Sequence, residues 1–298
     1  MPFPAATGHG VRVAVIDSGV NAAHPHICAR TETVLVRSPG NPDLGSDLGS
    51  HDALGHGTAV AAAIQEKAPA AEYFAVKLFS SSLRATTQRL LEAIEWAIDN
   101  RMDVVNLSLG TANMDDWAKI QASVERASAQ GIVLVSARSA GVRPLLPGAL
   151  HNVIGVDVDW DLPRHRYRTA TADGRWYFFA SGYPRPLAGI SQAKNLSGIS
   201  FAVANMTGFA IRACEGLQDR SFHTVREALA AEIHKLQRTK EGGQHAFTQS
   251  ESAARRPMRR SGALTGTADN SGVVGKSKSI HASNQNSRGS NSGYNKCI

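Results

Sequence analysis

Val13-Ala-Val-Ile-Asp-Ser-Gly19 is a short apolar run that ends in an acid, a hydroxyl and a glycine. This composition predicts a buried strand over Arg12–Asp17. Further along the chain, apolar runs alternate with amphipathic helical patterns, which indicates βαβ crossovers and a mostly parallel sheet covered on both faces. Active residues of such sheets gather at the carboxyl ends of the strands, where Asp17 stands. We therefore predict an α/β fold, a three-layer αβα arrangement around a mostly parallel, doubly wound sheet.

The other predicted elements follow from periodicity, length and capping residues. Thr86 and Thr87 are candidate caps of a clearly amphipathic helix. The predicted strands are Tyr73–Phe79, Val104–Leu109 and Ile132–Ser136. The predicted helices are His56–Ile64, Thr86–Asn100, Met114–Gln130, Phe201–Cys214 and Thr224–Leu236. Between 153 and 189 the pattern indicates short strands and turns.

Two further segments place chemically active residues between glycines: Gly55-His-Gly-Thr58 and Gly198-Ile-Ser-Phe-Ala202. With Asp17 they give the chain order Asp, His, Ser, which one type of serine hydrolase uses. A histidine near neutral pH can take the proton of a serine hydroxyl, and a carboxylate can hold that histidine in the required tautomer. A serine at a helix N-terminus also has backbone N–H groups aimed at a developing oxyanion.

Each segment alone has a simpler explanation: a turn aspartate, a glycine loop or a helix cap. Together they resemble the subtilisin-like serine proteases (subtilases, peptidase S8 family), over about residues 10–238. His24-Pro25 and the strand end Ser108-Leu-Gly110 add to the resemblance. It implies a fold of subtilisin type, with Asp17, His56 and Ser200 as the catalytic residues. It also implies that the substrate-binding segment, Ser108, Leu109 and Gly110, pairs with an extended peptide.

The chain departs from the family where an Asn normally donates to the oxyanion. The corresponding segment is Ser136-Ala-Arg-Ser-Ala-Gly141, which contains no Asn. In subtilisin, loss of this donor lowers turnover by about 10²–10³-fold. Ser139 and Asn152 are candidate replacements, together with Arg138. After the serine, Ala204 stands where the family has Pro, and Asn205 stands where it often has His.

Composition and charge set the domain organisation. Of the 298 residues, 42% are hydrophobic, which is typical of a globular chain. The segment 239–298 contains nine Lys or Arg and three acids, so it carries six of the seven net positive charges. Half of positions 261–298 are Gly, Ser or Asn, a composition typical of disorder. We predict an N-terminal arm at 1–9, a peptidase domain at 10–238 and a disordered basic tail at 239–298.

The same observations restrict the partners and the compartment. The sequence has three widely spaced cysteines, and it shows no signal-peptide pattern and no long apolar run. These features predict a cytoplasmic protein that does not enter a membrane. The basic segment Arg255–Arg260 has no interleaved aromatics and is predicted to be a solvated linker, so we do not expect nucleic acid as a partner. No metal spacing is present, and we expect no cofactor.

Three functions remain open on the sequence. The first is a serine endopeptidase acting on a peptide or protein substrate through an acyl-enzyme, with removal of a leader from a precursor peptide as one such role. The second is a non-catalytic module that binds extended peptides in the same cleft. The third is an esterase or amidase, because the altered segment around Ala140 bears on the acyl chemistry.

Overall fold

An eight-stranded sheet forms the centre of the computed structural model, which describes residues 1–35, 51–172 and 174–236. Its strands are β1 (Arg12–Asp17), β2 (Thr31–Leu35), β3 (Glu72–Lys77), β4 (Val104–Leu107), β5 (Val133–Ala137), β8 (Val153–Val158), β9 (Tyr167–Ala172) and β10 (Arg175–Ala180). A separate two-stranded hairpin is formed by β6 (Ser139–Ala140) and β7 (Arg143–Pro144).

The strand order is β2-β3-β1-β4-β5-β8-β10-β9. Every neighbouring pair is parallel except β9 and β10, which form an antiparallel edge. β1 lies inside the sheet and pairs with β3 on one side and β4 on the other. The carboxyl ends of β1 and β4 therefore meet at one edge, which brings Asp17 close to the segment that follows Leu107.

Helices cover both faces of this sheet. They are α1 (His56–Gln65), α2 (Thr87–Asp99), α3 (Trp117–Ala129), α4 (Ile199–Glu215) and α5, described over 222–236. The alternating side chains of β1 separate the two layers of core. Val13 and Val15 pack in the cluster that contains the apolar residues of α1 and α4. Ala14 and Ile16 pack in the cluster on the side of α2 and α3.

The predicted three-layer α/β fold is confirmed, with differences at the ends of the elements. β4 stops at Leu107, and the first turn of the predicted helix from Met114 is a 3₁₀ turn over Met114–Asp116. α4 begins at Ile199 rather than after Ser200, because Gly198 takes a φ of 152° and caps the helix two residues earlier than predicted. Ser200 thus lies within the first turn of α4.

The N-terminal residues are held against α4 and α5. The backbone N–H groups of Thr7 and Gly8 both donate to Glu215 at 2.5 Å, and the N–H of Phe3 donates to Glu232. Arg212 donates to the carbonyl oxygens of Pro2 and Phe3. The predicted tail, 239–298, lies outside the described residues. None of the described helices has the length and apolarity required to cross a membrane.

Candidate active site

The carboxylate of Asp17 and the imidazole of His56 form a hydrogen-bonded pair. Asp17 ends β1, and His56 is the first residue of α1. Nδ1 of His56 donates to Oδ1 of Asp17 at 2.7 Å, and the Asp17 side chain is only 1% exposed. The proton on Nδ1 leaves the lone pair of Nε2 free to accept a proton from another group.

The backbone N–H of Ser18 holds the carboxylate of Asp17 in place. The Ser18 N–H donates to Oδ1 of Asp17 at 2.7 Å, and its hydroxyl lies 3.2 Å from the same oxygen. The other carboxylate oxygen, Oδ2, is buried without a hydrogen-bond partner among the described residues. The N–H of Ser18 and Nδ1 of His56 thus converge on the same carboxylate oxygen, Oδ1.

Asp52 organises the start of α1. One of its oxygens accepts from the Ser18 hydroxyl and from the N–H groups of Leu54 and Gly55, and the other accepts from the N–H and hydroxyl of Thr58. These bonds lower the pKa of Asp52 even though its burial acts to raise it. Sequence reasoning missed this residue, although an acid four positions before His56, ahead of a helix, is a recognisable capping signal.

The pKa of His56 is raised above its ordinary value. Burial of the ring acts to lower it, but the hydrogen bond to Asp17, the negative charge of Asp17 and the charge of Asp52 together outweigh burial. The ring also packs beside Phe201 of α4, with the two ring centroids 5.7 Å apart. His56 is thus a strengthened base, and its imidazolium form is stabilised by two carboxylates.

Gly57 is required because the loop after β1 approaches α1 closely. A Cβ at this position would lie 2.2 Å from the carbonyl oxygen of Gly19 and 3.1 Å from Oδ1 of Asp17. The first distance involves backbone, so a side chain could be accommodated only by moving the loop that carries the Asp17 carboxylate.

We therefore expect Gly57→Ala to lower the free energy of unfolding by about 1–3 kcal/mol or more, since overpacking of this kind displaces backbone. Gly216→Ala is the matched control, because Gly216 has a φ of −93° and no atom lies within 4 Å of the place that a Cβ would take. Urea unfolding of both variants measures the difference. Equal stability of the two proteins would contradict the close approach.

The hydroxyl of Ser200 points toward β4 rather than toward His56. Ser200 Oγ donates to the carbonyl oxygen of Ser108 at 3.1 Å, and Ser108 Oγ donates to the carbonyl oxygen of Ser200 at 3.0 Å. Among the described residues, Ser200 and His56 share no hydrogen bond. Rotation about the Cα–Cβ bond of Ser200 moves its hydroxyl away from Ser108, and catalytic hydrogen bonds often form only with substrate present.

A buried polar network joins this strand end to α4. The Thr207 hydroxyl donates to Oδ1 of Asn106 at 3.0 Å, and Nδ2 of Asn106 donates to the Ser108 hydroxyl at 2.9 Å. All three side chains are almost completely buried, so their hydrogen bonds fix the position of α4 relative to β4. Ser200 sits at the end of this network. Nothing in the sequence pattern connects positions 106 and 207.

Of the three candidate oxyanion donors, Ser139 and Arg138 are hydrogen-bonded to Asp157 in this conformation. The Ser139 hydroxyl donates to Oδ1 of Asp157 at 2.7 Å, and Nε of Arg138 donates to Oδ2 at 2.6 Å. Asn152 lines a small cavity together with Trp117 of α3. The N–H of Ser200 remains as a backbone donor, because the N–H groups in the first turn of a helix have no intrahelical acceptor.

A cavity of about 220 Å³ opens beside the N-terminus of α1. Gly55 and Thr58 form one wall, Leu187 and Leu196 supply apolar surface, and Arg185 supplies a cation. The site thus contains a paired acid and base, a serine at a helix start and an adjacent recess. No group of three or more His, Cys, Asp or Glu side chains in the described part of the chain is arranged to hold a metal ion.

This fold, with its buried Asp–His pair at the carboxyl edge of the sheet, is of the subtilisin type. The Subtilase family profile matches residues 8–156, half of the chain, and the chain belongs to this family. The matched range includes Asp17, His56 and Ser108 and ends before Ser200.

Curated relatives agree with this membership. Subtilisin E of Bacillus subtilis (strain 168) is 36% identical over 140 residues, an alignment covering 44% of this chain and 34% of that protein. A subtilisin of Bacillus pumilus is 35% identical over 140 residues and is covered to 48%. The chain thus matches only a third to a half of the length of these relatives.

Among solved structures, a lanthipeptide protease aligns with a TM-score of 0.57 at 17% identity, covering 76% of this chain and 80% of that one. A cold-adapted subtilisin-like serine proteinase aligns with a TM-score of 0.55 at 20% identity, covering 76% and 83%. At these identities the two structures support the fold.

Proposed function

We propose that the protein is a serine endopeptidase that hydrolyses peptide bonds through Asp17, His56 and Ser200. Ser200 attacks the carbonyl carbon while Nε2 of His56 takes its proton, and Asp17 stabilises the imidazolium that forms. His56 then returns the proton to the leaving amine. Water repeats the sequence on the acyl-enzyme and releases the second product. The Asp17–His56 hydrogen bond of 2.7 Å carries this proposal.

The N–H of Ser200 would supply the main oxyanion contact. A second donor of the usual type is missing, since Ala140 stands near that position and Ser139 is bonded to Asp157. Loss of one donor costs about 10²–10³-fold in turnover in subtilisin. We therefore propose a slow enzyme. A substrate that breaks the Ser139–Asp157 bond would recover part of this loss.

The segment Ser108–Gly110 would bind the substrate backbone as an added strand. The carbonyl oxygens of Ser108 and Leu109 accept from the Ser200 and Ser136 hydroxyls. Within the described residues, the N–H and C=O groups of Gly110 make no hydrogen bond. The recess beside Gly55 would take a substrate side chain. Leader removal from a precursor peptide in the cytoplasm is the role we propose for such a cleft.

A non-catalytic peptide-binding module is the second candidate. The observation that favours it is the orientation of the Ser200 hydroxyl, which donates to Ser108 instead of His56. In this case the cleft would bind extended peptides through Gly110 and the recess, without acylation. The two candidates differ in whether Ser200 becomes nucleophilic.

Labelling with a fluorophosphonate probe separates the two candidates. We expect the wild-type chain to be labelled and Ser200→Ala to remain unlabelled, because only an activated serine attacks this phosphorus centre at an appreciable rate. Ser128→Ala is the matched control, because Ser128 lies in the last turn of α3, outside the candidate site, and this variant should be labelled at a rate similar to the wild type. A folded wild-type protein that stays unlabelled would favour the binding module.

Substrate class is then measured with paired ester and peptide substrates of the same acyl group. Cleavage of both by the wild type, with loss of both in Ser200→Ala, supports the endopeptidase. Cleavage of the ester alone would assign the protein to the esterases.

A further inference from the structure

A second cavity, of about 660 Å³, lies among the described residues of the chain. It is bounded by the loop after β5, by the start of α3, by β10 and by α5. Its volume falls within the usual range for ligand sites, about 300–1,000 Å³. None of Asp17, His56 and Ser200 lines it, whereas the candidate oxyanion donor Ser139 does.

The charged side chains of this cavity are all basic. Arg138, Arg175 and Arg226 line it together with His151, and no Asp or Glu is among the described residues of its wall. Arg138 is paired with Asp157, and Arg226 donates to the half-exposed Glu227.

Arg175 has the least compensated charge of the three. It donates to Nε2 of His151 at 2.5 Å and has no ion pair with a described carboxylate. The nearest acid of the adjoining small cavity, Glu125, accepts a hydrogen bond from Gln121. An anionic group entering here could therefore pair with Arg175 without displacing a described carboxylate.

Aromatic side chains also line this cavity, beside aliphatic residues and glycines. Trp117, Trp176 and Tyr177 contribute ring faces, and the guanidinium of Arg138 lies over the Tyr177 ring at 4.4 Å from its centroid. Trp117 is 39% exposed, which is high for a residue of this size. Aromatic surface beside arginines is typical of peptide recognition sites.

We propose that this cavity is a second peptide-binding site, which takes a segment with carboxylate side chains interspersed with aromatic or aliphatic ones. The opposite charge selects the acidic residues, and the rings bury the apolar ones. The cavity includes Ser139 and Gly141, which lie on either side of Ala140 in the proposed oxyanion segment. A peptide bound here therefore touches the hairpin of β6 and β7. That such a peptide is also a substrate rests on the proposed function. Its binding to this cavity does not.

Binding is measured on the full chain carrying Ser200→Ala, so that catalysis plays no part. Two of the four tryptophans, Trp117 and Trp176, line the cavity and report on occupancy through their fluorescence. The probe is a short capped peptide of alternating Glu and Phe. The same peptide with Gln for Glu tests the charge, and N-acetylphenylalanine tests whether a small free carboxylate suffices.

We expect a saturable fluorescence change with the Glu-containing peptide, and weaker binding at high salt. Arg175→Glu combined with Arg226→Glu should raise the Kd by about 10-fold or more. The single variant Arg175→Gln, at an exposed position, should raise it less. Arg30→Glu is the matched control, since Arg30 is exposed and precedes β2 at the opposite edge of the sheet.

Three results would overturn the proposal. The first is the absence of a saturable fluorescence change with the Glu-containing peptide. The second is a Gln-containing peptide that binds as tightly as the Glu-containing one, and the third is a Kd that stays unchanged in both arginine variants. Saturation by N-acetylphenylalanine but not by the peptide would make this a small-molecule site instead. Because the Ser200→Ala chain lacks the nucleophilic hydroxyl, these results are independent of probe labelling, which tests the catalytic proposal.

Discussion

Replacing Asp17 by Asn is expected to lower kcat for peptide hydrolysis by about 10⁴-fold, as the same change does in other serine proteases. An Asn side chain fits the same space, so the fold and the KM should change little. Its amide can donate to Nδ1 of His56, which would move the ring proton to Nε2. The ring would then be unable to accept the proton of Ser200.

The pH dependence of kcat/KM gives a second, independent readout of Asp17→Asn. The base must be neutral, so activity falls as the pH drops below the pKa of His56. The hydrogen bond to Asp17 and the charge of Asp17 raise this pKa. Their removal lowers it, and the acid limb of the residual activity should move to lower pH.

Asp115→Asn is the control for Asp17→Asn, because Asp115 is exposed in the 3₁₀ turn before α3 and its change should leave kcat unaltered. A kcat for Asp17→Asn within 10-fold of the wild type would remove Asp17 from the mechanism. An acid limb that does not move would show that Asp17 does not control the pKa of His56.

The sequence predicted the parts of this site whose chemistry is local. The apolar run before Asp17 predicts a buried strand that ends at the acid, and the glycines around His56 and Ser200 predict close packing. These features depend on neighbouring residues, so a linear pattern contains them. The bounds of α1 and α4 differ from prediction by one or two residues only.

Contacts between distant segments could not be predicted in this way. The bond between Ser139 and Asp157 follows from the register of β5 against β8, and it occupies a hydroxyl that the sequence left available. The link between Thr207 and Asn106 follows from the packing of α4 on the sheet. A one-residue shift of β5 against β8 would alter the first bond, and a shift of α4 along the sheet would alter the second. The local sequence pattern would stay the same in both cases.

Lys67 is the clearest example, because the sequence shows only a lysine after a helix. In the structure it is 1% exposed, and Nζ donates to Oδ1 of Asn205 at 2.6 Å and to the carbonyl oxygen of Ala63 at 3.3 Å. Gly208 makes room for its stem, since a Cβ there would lie 2.7 Å from Cδ of Lys67. The amine thus joins α1, which carries His56, to α4, which carries Ser200.

Burial lowers the pKa of Lys67 to about 7. The charge of Arg164 adds to this effect and that of Arg185 adds less, while Glu66 opposes it at 3.5 Å. The unfolded chain binds this proton up to its ordinary pKa near 10.5. Between pH 7 and 10.5 the unfolded state therefore holds more protons, and the free energy of unfolding rises with pH across this window.

We expect Lys67→Met to remove this dependence. The free energy of unfolding of the wild type, relative to the variant, should rise by roughly 4 kcal/mol from pH 7 toward 10.5. The variant leaves Oδ1 of Asn205 without its donor, at a pH-independent cost of about 1–3 kcal/mol. Urea unfolding at several pH values measures the difference, which cancels the titration of all groups that the two proteins share.

Lys119→Met is the matched control, because the side chain of Lys119 is 71% exposed and its replacement should give a difference that is flat over the same window. A flat difference for Lys67→Met as well would mean that the amine keeps its ordinary pKa despite its burial. In that case the bond to Asn205 and the charge of Glu66 would compensate fully for lost hydration. A rising difference would show instead that the two helices of the candidate site are joined at a net cost in stability, which is largest below pH 7.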